Sequence, residues 1–251
     1  MNLVYELGVT SYNNELSSFR IWSSPKCSFR STRDFCSKLH KIKSRESTYL
    51  SNNNKTKVVD VFLCRNPYKR LVSGYLNKYI EHTKYEEASL KINQNVVLHP
   101  FEGFVDSLCN KNDGLRVIDR KHFKPQIWDH EGNRFSVTPK MVFNSDRVSN
   151  VFDFFNNLYE TEIAESQLVR KAVGIKSQHD HDPSTKDSFN VDRHALSDLV
   201  YSKSVPKYST FYNDSIKTKV YNFYKDDFDF FKHLLDSSKI SQELYQELTV
   251  I

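Results

Sequence analysis

Residues 58–79, VVDVFLCRNPYKRLVSGYLNKY, run a β-branched apolar strand into an amphipathic helix through an arginine, the kind of join at which α/β proteins hold phosphates. Val58, Val59, Val61, Phe62 and Leu63 have the near-continuous apolar character of a parallel strand covered on both faces. The run ends at Arg65. Asn66 supplies an N-cap oxygen, and Pro67 stands at the first helical position, where its missing N–H costs nothing and its φ is already helical. Leu71, Val72, Tyr75, Leu76, Tyr79 and Ile80 recur at three and four, giving the helix one face for the sheet. Ser73 falls two turns beyond Asn66 on roughly the same side. The join therefore sets a guanidinium at a strand's carboxyl end, backed by a helix N-terminus and followed by a hydroxyl within reach of the same anion. Arginine binds phosphate oxygens in pairs and stays charged at ordinary pH. The competing reading pairs Arg65 with a carboxylate and leaves Ser73 as a small helix residue.

A second join of this kind lies upstream. Phe19, Arg20, Ile21 and Trp22 form a first strand, residues 23–32 (SSPKCSFRST) make a polar turn, and Phe35, Leu39 and Ile42 give the next helix its apolar stripe. Strand, turn and helix N-terminus make an anion cradle from backbone N–H groups and the helix dipole. The chain has no G-x-x-x-x-G-K-[ST] loop, which removes the main sequence support for a nucleoside-triphosphate kinase.

Residues 65–75, RNPYKRLVSGY, resemble the 3′-phosphate-binding motif R-x-P-x-x-R-L-x-S-x-Y of sulfotransferases that use 3′-phosphoadenosine 5′-phosphosulfate (PAPS). The resemblance is closest to the carbohydrate sulfotransferases of the family 2 type, and it implies that Arg65 and Ser73 grip the 3′-phosphate. The upstream turn is similar to the family's 5′-phosphosulfate loop, P-K-x-G-x-T or P-K-x-G-T-T. That similarity implies donor contacts from Pro25, Lys26, Cys27, Ser28, Phe29, Arg30, Ser31 and Thr32. Pro25 and Lys26 match best. Ser28 stands where the family usually has glycine, and Phe29 and Arg30 fall where small hydroxyl residues are common. A side chain at a tight phosphate turn restricts backbone approach, and either Ser31 or Thr32 is left to supply the hydroxyl. Residues 119–126, DRKHFKPQ, resemble the H-[WF]-x-P-Q segment of the carbohydrate enzymes. Residues 208–212 and 220–231 resemble the family's closing pattern, a tyrosine-bearing turn and then an aromatic helix docked on the core.

The resemblance implies an α/β, P-loop-like three-layer fold with a central parallel sheet flanked by helices, in one domain over residues 1–251. It also implies sulfuryl transfer from PAPS to a hydroxyl acceptor, a carbohydrate or glycoconjugate first and a small molecule second. In-line displacement at sulfur builds charge on the bridging oxygen of the departing adenosine 3′,5′-diphosphate, and the acceptor's proton needs a base. Lys26, by its match, is assigned to the leaving oxygen. His122 leads as the base because imidazole suits neutral pH, with His40 and Glu46 as competitors and a structural bond to a backbone carbonyl as its alternative role. The scheme requires no metal. Two other classes stand beside it: a nucleotide-dependent phosphotransferase, and a non-catalytic nucleotide- or polyanion-binding module on the same fold.

Elsewhere, Phe101, Phe104, Val105 and Leu108 space as a short helix; residues 140–143 read as a strand, followed by a helix with Val148, Val151, Phe152, Phe155 and Leu158 inside. At 251 residues the chain is long enough for a full α/β core. Its net charge of +5 suits an anionic donor, while the interleaving of acidic and basic residues and the lack of a basic arm argue against a nucleic-acid partner. No apolar run reaches membrane-spanning length, and the amino end has no charged region leading into an apolar one, so the expected location is cytoplasmic. Cys27, Cys36, Cys64 and Cys109 form no CxxC pair, which supports neither a disulfide framework nor zinc. Cys64 reads as a small buried hydrophobe, and Cys27 as an inert loop thiol or, beside cations, a reactive one. Residues 179–183, HDHDP, invite a metal reading, but adjacent residues rarely converge on one ion and the flanking residues read as loop.

Overall fold

The structure is a computed structural model. It describes residues 2–12, 15–24, 26–43, 57–80, 100–109, 122–128, 137–164, 168, 180–182, 188–191, 193–201 and 204–251. In chain order the elements are β1 (Asn2–Tyr12), β2 (Glu15–Ser23), α1 (Phe29–Lys43), β3 (Lys57–Cys64), α2 (Pro67–Tyr75), α3 (Phe101–Cys109), β4 (Met141–Asn144) and α4 (Val148–Tyr159). They continue with β5 (Asp180–Asp182), α5 (Arg193–Tyr201), β6 (Ser204–Pro206), α6 (Asp214–Phe223), α7 (Lys225–Asp236) and α8 (Gln242–Thr249). The chain divides into two compact units. The first comprises Met1–Asn66, Gln126–Arg170 and Asp229–Val250, the second Pro67–Pro125, Lys171–Phe228 and Ile251.

The first unit holds a sheet in the order β1-β2-β3-β4, with β2, β3 and β4 parallel and β1 antiparallel to β2 at the edge. This is the expected α/β arrangement of a parallel sheet flanked by helices. Register sets Phe19 beside Val59 and Ile21 beside Val61, and these residues turn to one face with Leu63. There they meet Phe35 and Leu39 of α1 and Val151, Phe152 and Phe155 of α4; the Phe35 and Phe152 rings stack at 4.5 Å. Phe62 and Cys64 alternate to the other face, against Phe230, Phe231 and Leu234 of α7 and Leu248 of α8. Both faces of β3 are thus covered, as its composition requires. Its first residues lie outside this cover, and Val58 is 41% exposed.

Asp60 breaks the apolar run of β3 without leaving a charge unpaired. Arg20, its register partner, donates from Nε and Nη2 at 2.9 and 2.8 Å, and Trp22 Nε1 donates at 2.7 Å. A carboxylate with three donors, two of them charged, is stable at such a depth.

Two details differ from expectation. β1 precedes the strand read as the first, and the inward stripe of α1 runs through Phe35, Cys36 and Leu39 but stops short of its last turn, leaving Ile42 44% exposed.

In the second unit α2 continues through a π-helical turn at Leu76–Ile80. Its buried face packs into an aromatic cluster with Phe101 and Phe104 of α3, Phe123, Phe211 and Tyr212. Gly74 is required by close approach: a Cβ there would lie 2.6 Å from Phe123 Cε1. The tyrosine-bearing turn is a 3₁₀ helix, Tyr208–Phe211, and Tyr212 Oη donates to the Tyr68 carbonyl at 2.8 Å.

The expected single aromatic helix over residues 220–231 is instead two, α6 and α7, separated at Tyr224. The buried Tyr224 Oη donates to the Phe123 carbonyl at 2.7 Å, and the Arg70 guanidinium lies 5.9 Å from its ring centre. Burial pushes the Tyr224 phenol above its ordinary pKa, so it remains a donor. Within the HDHDP run, Asp180–Asp182 is a strand paired in parallel with Ser204–Pro206, not a loop; His179 and Pro183 lie outside the described residues. No helix among the described residues is long and apolar enough to cross a membrane.

Candidate functional site

The turn from β2 into α1 is built from hydroxyls and strained backbone. Ser23 and Ser24 are buried at its start; Ser23 Oγ crosses the turn to donate to the Cys27 carbonyl at 2.8 Å, and the Cys27 N–H donates to the Ser24 carbonyl at 3.0 Å. Lys26 (φ 70°) and Ser28 (φ 53°) both adopt left-handed backbone. For residues other than glycine that conformation costs about 1–2 kcal/mol each. Ser28 is therefore at the backbone geometry for which the matching glycine of the motif is suited. Its side chain holds it there: Ser28 Oγ donates to the Ser145 carbonyl at 2.8 Å. The carbonyl of Ser28 then accepts from the Thr32 N–H at 3.0 Å and opens α1.

The first turn of α1, FRST, contains no acidic residue to offset the positive end of the helix dipole. Thr32 is fully buried, and its Oγ1 has no hydrogen-bond partner among the described residues. A buried hydroxyl left this way costs about 1–3 kcal/mol. An uncompensated helix N-terminus with an orphaned hydroxyl in its first turn fits an anionic group.

The carboxyl end of β3 lies in the same unit and is fixed differently. Gln126, fully buried, pairs with both sides of the Arg65 backbone: its Oε1 accepts from the Arg65 N–H at 2.8 Å, and its Nε2 donates to the Arg65 carbonyl at 2.7 Å. The same Oε1 accepts from Cys27 Sγ at 3.0 Å. One amide thus joins the turn after β2 to the end of β3. Arg65 adds a second link, since its Nη1 donates to the Lys26 carbonyl at 3.2 Å. Its Nε is ion-paired with Asp146 Oδ1 at 2.7 Å, so the carboxylate partner weighed from the sequence is present. The result is a guanidinium tied to the lysine-bearing loop on one side and to an acid on the other.

The structure therefore brings Lys26, Cys27, Ser28 and Arg65 into one bonded set. Ser31 is half-buried in the first turn of α1. Pro25 and Glu46 lie outside the described residues, as do the side chains of Phe29 and Arg30. Cys27 is fully buried, which favours the inert reading of its thiol, and Cys64 is the buried hydrophobe expected. His40 is on the exposed side of α1 with its ring edge toward Tyr5. Ser73, on α2, and His122, half-buried just before the Phe123 and Gln126 segment, belong to the second unit.

Sequence reasoning gave no role to Gln126, Ser145, Asp146 or Glu247. Gln126 carried a signal, as the last residue of the HFKPQ string. The other three carried none, because the 3₁₀ turn Ser145–Arg147 and α8 are marked by no motif.

The sequence model of the sulfotransferase family matches residues 3–233. No curated protein and no solved structure matches the chain.

Proposed function

Because the chain belongs to the sulfotransferase family, we propose that it moves the sulfuryl group of PAPS to a hydroxyl of a carbohydrate or glycoconjugate, with both units serving as one catalytic domain. The observation that carries this reading is Ser28 at φ 53°, tethered to the Ser145 carbonyl. The loop that departs from the donor motif in sequence keeps the turn which that motif needs, and this weighs against a disabled binding module.

In this reading the first turn of α1, with Thr32, receives the 5′-phosphosulfate, and Arg65 with Ser73 receives the 3′-phosphate. PAPS supplies an activated sulfuryl group whose leaving group is a phosphate. Lys26 donates to the bridging oxygen as the bond to sulfur breaks, where a compact ammonium meets charge only as it develops. His122 takes the acceptor's proton, and the products are a sulfate ester and adenosine 3′,5′-diphosphate.

Titration calorimetry with adenosine 3′,5′-diphosphate, ADP and ATP tests the donor. A charge-assisted pair to phosphate contributes about 1.5–3 kcal/mol, so the wild type should prefer the 3′-phosphorylated ligand by roughly 10–100-fold. Arg65→Ala should erase that preference. Equal binding of all three ligands by the wild type would sink the donor assignment. A labelled-sulfate screen over sugars and small hydroxyl compounds then identifies the acceptor class.

A further inference from the structure

The family match ends at residue 233, so α8 lies wholly beyond it. One residue of α8 nevertheless grips both flanks of the Arg65 and Asp146 ion pair. Glu247 Oε2 accepts from Asn144 Nδ2 at 2.9 Å, and Glu247 Oε1 is ion-paired with Arg147 Nη2 at 2.5 Å. Asn144 and Arg147 bracket Asp146, and Asn144 Oδ1 also accepts from the Asp146 N–H at 3.0 Å. On the other strand, the Glu247 carbonyl accepts from Nδ2 of Asn66, the residue after Arg65, at 3.2 Å, and the Val250 carbonyl accepts from the same nitrogen at 2.7 Å. Asn66 is fully buried.

We infer that Glu247 is a positioning residue for Arg65, acting through Asn144 and Asp146, and that it sets how strongly the site selects a 3′-phosphorylated nucleotide. This rests on the assignment of the 3′-phosphate to Arg65. The physical case is the route of the bonds. Asp146 is ion-paired with Arg65 at Nε, at 2.7 Å, and so holds the guanidinium on its side of the strand end by charge. Asp146 sits on a short 3₁₀ turn, Ser145–Arg147, that has little rigidity of its own. Glu247 supplies the rigidity from a helix, bonding residues on both sides of the acid while its carbonyl fixes the strand end that carries the arginine. Its side chain is 19% exposed, so these bonds are less screened than those of a surface pair. A fork that can swing loses the paired geometry on which phosphate selection depends.

The test compares binding of adenosine 3′,5′-diphosphate with that of AMP, which lacks only the 3′-phosphate. Glu247→Ala should lower the wild-type preference by about tenfold while AMP affinity stays the same. Arg147→Ala, at a 57% exposed side chain, breaks only the outer pair and should lower it by about threefold. An unchanged preference in both variants overturns the inference, and so does a parallel fall in AMP affinity, the mark of a general structural role. A wild type without any preference overturns the donor assignment and this inference with it; a normal wild-type preference that both variants retain overturns the inference alone.

Discussion

The turn after β2 and the carboxyl end of β3 lie in one unit and look alike in sequence, each a strand leading into a helix N-terminus, yet they are built on opposite principles. The turn stores strain, with two non-glycine residues in left-handed backbone held by short hydroxyl bonds from Ser23 and Ser28. The strand end stores none: at Arg65 and Asn66 the backbone stays out of the left-handed region, and the long side chain of Gln126 satisfies both polar groups of Arg65. A loop can thus depart from its motif and keep its shape if neighbouring carbonyls are placed to restrain it. The strand end keeps its motif intact, and the partners that hold it, Gln126 and the Glu247 and Val250 carbonyls, restrain a backbone outside the left-handed region.

Gln126 is where the two constructions meet, so its removal should do the most damage. Gln126→Ala deprives the Arg65 N–H, the Arg65 carbonyl and the Cys27 thiol of one shared partner in a fully buried setting. With a buried unsatisfied group costing about 1–3 kcal/mol, urea unfolding should show a loss of about 3 kcal/mol. Thiol alkylation locates the damage. Cys27 should react about tenfold faster than in the wild type as the turn opens locally, whereas Cys36 and Cys64 should remain protected within the sheet's two faces. Burial also raises the Cys36 thiol well above its ordinary value, which makes it a stable internal control. If all three thiols react together, the turn and the strand end do not open separately and the contrast between them fails.

The same contrast explains what the sequence could and could not reveal. β3 and the start of α2 were legible because their cues are local: an apolar run needing cover on two faces, then Asn66 and Pro67. β1 was missed because its inward residues Tyr5, Leu7 and Tyr12 do not share one parity. Register shifts between Leu3 and Tyr5 and between Leu7 and Thr10 interrupt the alternation on which strand reading depends. The break at Tyr224 has no local marker, and the partner of its buried hydroxyl, Phe123, is 101 residues away. The supports of the site share that property. Gln126 is 61 residues from Arg65, and Glu247 is 103 from Asn144. A motif records the groups that meet a ligand, while the groups that hold them in place are recorded only in the fold.

The restraint on the strained turn can be removed without touching the strand end. Ser28→Ala keeps a Cβ in left-handed backbone and removes the bond to the Ser145 carbonyl, so the strain of about 1–2 kcal/mol is no longer opposed. Urea unfolding should show a loss of about 1–2 kcal/mol, and affinity for adenosine 3′,5′-diphosphate should fall with it.

Ser28→Gly separates strain from tether. Glycine loses the same hydrogen bond, about 1 kcal/mol, but it is at ease at φ 53° and recovers a similar amount, less the entropy of a freer unfolded chain. The net change in stability should lie within about 0.5 kcal/mol. Nucleotide affinity should stay near the wild-type value, because the backbone N–H groups of the turn keep their direction. The informative quantity is the gap between the two variants. A gap of about 1 kcal/mol in favour of glycine means that the serine hydroxyl does by restraint what the motif's glycine does by freedom. Equal losses in the two variants would mean that the hydroxyl matters only as a bond to Ser145, and that the left-handed turn is held by Ser23 and Gln126 alone.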